Sequence, residues 1–390
     1  DRIGAAQTSA VLDQLGPATC VASPGLPLAG ASGAVTPAEL VGVDTPAAAE
    51  PAPDENALVM FTSGSTGAPK GVVHTHGGLA GKVHQLLEAH GLDGSDVVLM
   101  PAPLAHVSGL LHGVLLPGAA GMRTVLMDRW DPAGALDLIE AEGVTYMVGP
   151  PTFFLGLMDA PGFTPTRTTS LRLLSCGGTE VTPEFVERAG RELGTVVKRS
   201  YGSTEAPTVA TSRFDDPPDR MATTDGRALG GTELRIGVDG EVWVRGPEVA
   251  SGYLDPDQTA ASFVDGWFRT GDLGTLDDGW LTVTGRLDDR IIRGGENISA
   301  HDVEAHLREH PAVDAAVVVG LADERLGERV AAFVVAPGGF DLDDCRAWFE
   351  GRGLTRFLTP EYLEVLDEVP LLPTGKPDRA GLRERAGVRR

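Results

Sequence analysis

Phe61-Thr62-Ser63-Gly64-Ser65-Thr66-Gly67-Ala68-Pro69-Lys70-Gly71 follows directly on the apolar run 57–61. A short apolar run opening into a glycine-rich polar loop predicts a buried strand that ends at a ligand-facing turn. Gly64, Gly67 and Gly71 permit positive φ and close backbone approach. The hydroxyls of Thr62, Ser63, Ser65 and Thr66, with free backbone N–H groups, offer donors to phosphate oxygens. Lys70 adds a compact cation. The Walker-type loop requires Gly-Lys-Ser/Thr after a four-residue spacer, and Ala-Pro-Lys-Gly departs from it, which disfavours a P-loop kinase or GTPase. Taken alone, such a loop reads equally well as a solvent-exposed turn.

Outward from this loop the pattern alternates. Residues 97–100, 144–148, 171–175 and 195–200 read as buried strands, and 77–89 and 133–142 as helices. That alternation predicts helices packed on a mostly parallel sheet. Upstream, residues 1–20 carry a weak helical stripe with a strand after it, and 23–55, rich in Ala, Pro and Gly, read as a surface connection. From 231 to 284 the strands shorten and lose their helices (233–238, 241–245, 280–284), predicting a β-rich subdomain, either a sheet or a distorted barrel. The charged stretch Gly285-Arg286-Leu287-Asp288-Asp289 marks the expected boundary between a large domain, 1–286, and a small one, 287–390. The small one reads helix 300–309, strand 315–319, strand 330–335, helix 342–351, strand 362–365. Ser299 with Asp302 three residues on gives a variant capping box, and Val303 and Leu307 share a buried face. The expected fold class is therefore α/β, with a large domain of mixed and parallel sheet followed by a small α+β domain.

Composition bounds the function. With 390 residues, 42% of them apolar and 22% charged, the chain is long enough for two or three domains and too apolar for disorder. Lys+Arg 32 against Asp+Glu 55 gives a net charge of −23, which argues against a nucleic-acid or anionic-membrane surface. No apolar run reaches the roughly 20 residues of a membrane helix, since 110–122 is broken by Pro117 and glycines. The Asp1-Arg2 start shows no secretory pattern, and Cys20, Cys176 and Cys345 are too far apart for a disulfide framework or metal knuckle. A reducing cytoplasm is the expected location. Lysine occurs only at positions 70, 82, 198 and 376. Where arginine is the default cation, a retained lysine points to a role that arginine's planar fork cannot fill.

Further motifs follow in order. Ser200-Tyr201-Gly202-Ser203-Thr204-Glu205 ends an expected strand, with an aromatic ring to stack on a base, hydroxyls for phosphate and a carboxylate for Mg²⁺. Gly266-Trp267-Phe268-Arg269-Thr270-Gly271-Asp272 is expected to set a carboxylate on a tight turn, suited to a ribose diol. Gly285-Arg286-Leu287-Asp288-Asp289-Arg290 leads into Gly294-Gly295-Glu296-Asn297, and Pro373-Thr374-Gly375-Lys376 places a lysine on a late loop. Over roughly residues 57–390, these segments in this order resemble the adenylate-forming superfamily of acyl-CoA synthetases, peptide-synthetase adenylation domains and luciferases. Ile291-Ile292-Arg293-Gly294-Gly295-Glu296-Asn297-Ile298 is similar to the bacterial acyl- and aryl-CoA ligase branch. Pro103-Leu104-Ala105-His106-Val107-Ser108-Gly109, with Trp130-Asp131-Pro132, is similar to medium-chain and alicyclic acyl-CoA ligases.

The resemblance implies an ATP-dependent acyl-CoA synthetase: a carboxylate attacks the α-phosphorus of ATP, and the CoA thiol then displaces AMP. It implies that Thr62, Ser63, Gly64, Ser65, Thr66, Gly67 and Lys70 hold the β- and γ-phosphates. Thr204 would contact the α-phosphate and Glu205 the Mg²⁺. Tyr201 would stack on adenine beside Gly177 and Gly178, and Asp272 and Arg286 would grip the ribose. Lys376 would bridge carboxylate and α-phosphate in the first step. The small domain would then turn about Asp288, bringing Gly294, Gly295 and Glu296 to line a pantetheine tunnel, with His106 between tunnel and acid pocket.

Simpler readings stand beside these. Lys70 and Lys376 also suit solvated surface lysines, Arg286 and Asp288 a linker ion pair, and His106 a buried hydrogen-bonded histidine. His301, His306 and His310 read as a solvated helix face, His74 and His76 as a strand–helix junction, and Cys176 as a small buried hydrophobe. The expected pocket wall, Val148-Gly149-Pro150-Pro151-Thr152-Phe153-Phe154 with Pro207-Thr208-Val209, is apolar and favours a hydrophobic acid over an amino or dicarboxylic acid. A carrier-protein phosphopantetheine is the alternative acceptor, and a nucleotide- or acyl-binding protein without turnover is the alternative class. About 100 residues that such enzymes carry ahead of the phosphate loop are expected to be missing, leaving apolar sheet that a partner or a homodimer would cover.

Overall fold

The computed structural model describes residues 11, 14–15, 50–62, 69–294, 296–323, 325–371 and 377–388. Most of 1–20 and 23–55 therefore lies outside the described residues, as do Ser63, Gly64, Ser65, Thr66, Gly67, Gly295 and Lys376. The chain divides into two compact units, the first comprising residues up to 236 with 243–270 and 276–282, the second 237–242, 271–275 and 283–390.

In the first unit five parallel strands run side by side in the order Arg123–Leu126, Val97–Met100, Tyr146–Gly149, Leu173–Gly177, Val196–Tyr201. Apart from Arg123, Thr124, Ser175 and Lys198–Ser200 their sequences are apolar, as suits strands covered by helices on both faces. Side chains alternate accordingly: Leu99, Met147 and Leu174 enter a core with Leu136, Ile139, Phe154 and Leu193. Val98, Met100, Tyr146, Val148 and Leu173 enter the opposite one with Leu86, Leu111 and Leu116. Ala210–Thr211 and Arg227–Ala228 continue the sheet antiparallel. Trp280–Arg286, Trp267–Asp277, Glu241–Arg245 and Glu233–Ile236 carry the same sheet on, and Phe263–Val264, paired with Trp267–Asp277, brings it to twelve strands. A separate small sheet pairs Asn56–Thr62 with Lys70–Thr75 and Gly252–Tyr253.

The helices have legible ends. His76–His90 starts at Thr75, whose hydroxyl accepts from Gly78 N, and stops at Gly91 with φ 54°. Pro132–Glu142 runs from the Asp131 cap to Gly143, and Pro183–Leu193 from the Thr182 cap to Gly194, both with proline in the first turn. The helical path Val107–Leu110, Leu111–Leu115, Leu116–Ala120 includes one π-turn.

The second unit is a five-stranded sheet, Glu296–Ser299, Arg290–Arg293, Gly327–Val335, Ala315–Asp323, with Tyr362–Leu366 parallel to Gly327–Val335. Val318, Val330, Ala332 and Val334 pack under the helices Ala300–Arg308 and Leu342–Gly351, while Val317, Val319, Ala331 and Phe333 pack under Arg379–Val388. Two corrections to the sequence reading arise here. His306 and His310 are not on a solvated face: His306 lies edge-on to Phe349 at 6.0 Å, and His310 contacts Phe340 and Trp348 at 4.7 and 4.8 Å. The neighbouring helix Leu342–Gly351 covers them. Asp272 is not on a tight turn, for it lies inside the strand Trp267–Asp277 beside Gly271, whose φ of 72° kinks the strand. The tight turn is Asp265-Gly266, where both φ values are positive.

Candidate active site

Four expected segments sit where the parallel strands end. Val97–Met100 runs out toward His106, Tyr146–Gly149 toward the apolar wall, Leu173–Gly177 into Gly178, and Val196–Tyr201 into Thr204 and Glu205. In open α/β sheets the carboxyl edge of the strands is where ligands bind, because loops there are free of the packing that fixes the helices. Gly177 pairs with Ser200 so closely that a Cβ on it would lie 2.1 Å from Ser200 O. Gly178 has φ 82° and is exposed, as are Thr179 and Glu180. Ser200 Oγ is fixed between Ser175 Oγ at 2.8 Å and Thr211 Oγ1 at 3.0 Å.

The turn carrying Thr204 and Glu205 is held from three sides. His74, buried on Lys70–Thr75, donates Nε2–H to Thr204 O at 2.8 Å. Burial lowers the His74 pKa, against the opposing pull of Glu205, so the ring is neutral at pH 7. Ala250 N donates to Glu205 O at 2.8 Å, and Tyr253 OH donates to Glu205 Oε1 at 2.7 Å. Lys82 donates Nζ–H to Thr208 O at 3.0 Å. Thr208 has φ 40°, unusual for a β-branched residue, and its N would meet a Cβ on Gly202 at 2.2 Å. Lys70 opens its strand opposite Thr62, with Nζ 5.5 Å from the Tyr253 ring centroid. Thus Thr62, Lys70, His74, Thr204, Glu205 and Tyr253 converge on one side of the small sheet. Sequence reading missed Tyr253 and the tie from His74. The signal available was a tyrosine, one of four in the chain, in Gly252-Tyr253-Leu254.

His106 is exposed and caps Val107–Leu110, its Nδ1 accepting from Ser108 N at 3.2 Å. The buried histidine of this region is His112, hydrogen-bonded to Tyr146 OH at 2.8 Å with its pKa pushed down by burial to about 3. On the expected wall, Phe154, Pro207 and Val209 are buried, and Phe153 stacks on Trp130 at 4.6 Å. Cys176 is fully buried, and burial pushes its thiol pKa far up.

In the second unit Arg286 Nε meets Asp272 Oδ1 at 2.8 Å, with Asp272 14% and Arg286 54% exposed. This pairing joins the two residues expected to face a ribose. Asp288 is exposed in the short turn Leu287–Asp289. Gly294, with φ 60°, follows Arg290–Arg293, and Glu296 is exposed opposite Arg293. Among the described residues no group of three or more His, Cys, Asp or Glu could cage a metal. Nor is any described helix long and apolar enough to cross a membrane. The donor set suits a Mg²⁺ that takes one carboxylate, Glu205, and fills its remaining positions with phosphate oxygens and water.

With hydroxyls and one carboxylate where the parallel strands end, and Lys70 on the small sheet, the chain is an α/β protein with a polar, ligand-facing sheet edge. The chain belongs to the AMP-binding enzyme family: that family's model matches residues 5–254, and the AMP-binding enzyme C-terminal domain matches 302–376. It is 38% identical to the medium-chain fatty-acid–CoA ligase of Escherichia coli over 85% of this chain and 61% of that protein. It is 36% identical to a feruloyl-CoA synthase of Amycolatopsis over 86% of this chain and 70% of that protein. Among solved structures, the O-succinylbenzoate coenzyme A synthetase of Bacillus subtilis, in complex with ATP and a magnesium ion, superposes with TM-score 0.85. That match has 28% identity and covers 98% of this chain and 82% of the other. The chain thus spans about three fifths of the length of the first of these curated relatives.

Proposed function

We propose that this chain is an AMP-forming acyl-CoA synthetase that activates a hydrophobic carboxylic acid. The observation that carries the reading is the Glu205 turn, fastened by His74, Ala250 and Tyr253 at the carboxyl edge of the sheet. The first step brings two anions together, so cations must neutralise charge around the α-phosphorus. Lys70 and the loop from Thr62 hold the terminal phosphates, Thr204 the α-phosphate, and Tyr201 with Gly177 and Gly178 the adenine. Asp272 accepts from the ribose hydroxyls, kept in place by Arg286. Glu205 holds Mg²⁺, which when bound supplies charge neutralisation on the phosphates. Neutral His74 fixes the Thr204 carbonyl and thereby the backbone on which both groups stand. Lys376 approaches the substrate carboxylate and α-phosphate, and the carboxylate displaces pyrophosphate.

The thiol of CoA then displaces AMP after residues 287–390 turn about Asp288, withdrawing Lys376 and presenting Gly294, Gly295 and Glu296, with His106 at the tunnel. The stretches 148–154 and 207–209, of which Phe153 is half-buried on Trp130 while Phe154 and Val209 pack in the interior, carry no charged group to meet a second substrate charge, in keeping with the acids named in the two ligase relatives. The buried thiols fit a reducing compartment such as the cytoplasm. A screen of carboxylic acids for pyrophosphate release identifies the substrate, and free CoA against a holo carrier protein identifies the acceptor. Lys376→Ala is expected to slow acyl-AMP formation by about three orders of magnitude while pre-made acyl-AMP still reacts with CoA. Equal loss of both half-reactions would rule out the domain turn, and silence across the acid panel would rule out the synthetase reading.

A further inference from the structure

We propose that Tyr253 is the positioning residue for the Glu205 carboxylate, aiming its free oxygen lone pairs at the divalent cation; the inference rests on the reading of Glu205 as the metal ligand. Tyr253 is only 8% exposed. Its ring lies edge-on to Phe263 at 5.8 Å, and its backbone is clamped by Thr259, whose Oγ1 accepts from Tyr253 N at 2.8 Å and donates to Tyr253 O at 3.1 Å. Strand pairing with Val72 fixes its height beside the phosphate-loop strand. A phenol so immobilised delivers its O–H along one direction, and Glu205 Oε1 receives it at 2.7 Å.

A glutamate has three side-chain torsions, and a single lone metal-binding carboxylate would otherwise lose that freedom each time the cation arrives. The Tyr253 hydroxyl uses one lone pair of Oε1 and leaves the others and all of Oε2 to the metal. Ala250 N holds the Glu205 carbonyl from the same segment, so one short stretch, Ala250–Tyr253, fixes both ends of the residue. The ring also separates charges. Its face takes the Lys70 ammonium at 5.5 Å while its hydroxyl takes the carboxylate, so both face a nucleotide without one spending its charge on the other.

The test is ATP binding by isothermal titration calorimetry, with and without Mg²⁺, on the wild-type chain, Tyr253→Phe and Glu205→Gln. Phenylalanine keeps the ring, its packing on Phe263 and its face toward Lys70. Tyr253→Phe is expected to lose about ten-fold of the Mg²⁺-dependent gain in affinity, the scale of one hydrogen bond to a charged group, with metal-free ATP binding unchanged. Glu205→Gln is expected to lose the whole gain. In pyrophosphate release, Tyr253→Phe should need about ten-fold more Mg²⁺ for half-maximal rate and recover most of kcat when Mg²⁺ saturates. A Mg²⁺ gain that Tyr253→Phe retains in full would overturn the proposal alone. Loss of metal-free ATP binding in Tyr253→Phe would make the residue structural and overturn it too. A wild-type chain indifferent to Mg²⁺ would overturn the metal reading of Glu205 and this inference with it.

Discussion

Replacing Lys82 with methionine removes one half of an ion pair whose side chains are both 0% exposed. Lys82 Nζ lies 3.6 Å from Glu248 Oε1 as an ion pair and donates hydrogen bonds to Gln85 Oε1 at 2.6 Å and Thr208 O at 3.0 Å. Glu248 in turn accepts from Thr232 Oγ1. At that separation the attraction is about 5 kcal/mol for an effective dielectric near 20, of the same order as the cost of desolvating each ion. The intact pair is thus near break-even, and the half-pair is not. Lys82→Met should destabilise the first unit by about 3–5 kcal/mol, and Lys82→Met with Glu248→Gln should recover most of that loss.

Urea unfolding followed by tryptophan fluorescence reads this out. Trp130, Trp243, Trp267 and Trp280 belong to the first unit and Trp348 to the second, so a two-step curve assigns the change. Burial also holds the Lys82 pKa at about 8 rather than 10.5. Between those values the unfolded chain binds more protons than the folded one, so this group's contribution to stability rises with pH there, and the double variant should flatten the rise. Lys198, likewise held at about 8 by burial, adds to the rise, and above pH 9 the buried thiols of Cys176 and Cys345, whose pKa values burial raises, oppose it. A Lys82→Met chain within about 0.5 kcal/mol of wild type, or a double variant no better than the single, would refute the argument.

Three further outcomes are expected. His90 is fully buried with neither ring nitrogen hydrogen-bonded, and burial pushes its pKa well below 6.5, as it does for His74 and His112. The unfolded chain therefore binds more protons as pH falls below 6.5, and stability drops toward acid; His90→Leu should leave stability at pH 7 unchanged or higher and move the acid-unfolding midpoint down, measured by circular dichroism. Asp272→Asn should raise KM for ATP about ten-fold with kcat nearly unchanged in a pyrophosphate-release assay, since a ribose contact binds ground and transition states alike. Gly177→Ala must fit a Cβ 2.1 Å from Ser200 O, and should lower the thermal midpoint of the first unit with a loss of about 1–3 kcal/mol, measured by calorimetry.

Much of the fold was legible because its signals are local. The strands at 97–100 and 241–245 and the helix at 342–351 end where the sequence pattern ends, at caps, glycines and breaks in apolar period. Local signals also misled. The glycines at 266 and 271 bracket an apparent turn, yet only Gly266 turns, and Gly271 rides inside a strand held between Trp280–Arg286 and Glu241–Arg245. The helix Pro183–Leu193 carries its signals in plain view, the Thr182 cap, Pro183, Gly194 and the buried stripe Phe185, Val186, Ala189, Leu193, although the alternation expected from the sequence does not include it. Arg379–Val388, with Leu382 and Ala386 as its fully buried anchors among the described residues, shows still less.

By itself the sequence determined the order of elements, the phosphate-loop chemistry and the family of motifs, because backbone propensity and motif spacing are properties of neighbouring residues. It also marked lysine as rare. Only the tertiary structure decided that Lys82 and Lys198 are interior, one meeting Glu248 and Thr208, the other donating to Ala89 O at 2.7 Å under the Phe214 ring. Only the tertiary structure brought Tyr253 to Glu205 across 48 residues of chain. Whether a charge is solvated or buried depends on which distant groups the fold carries to it, and no stretch of sequence around Lys82 or Glu205 contains that information.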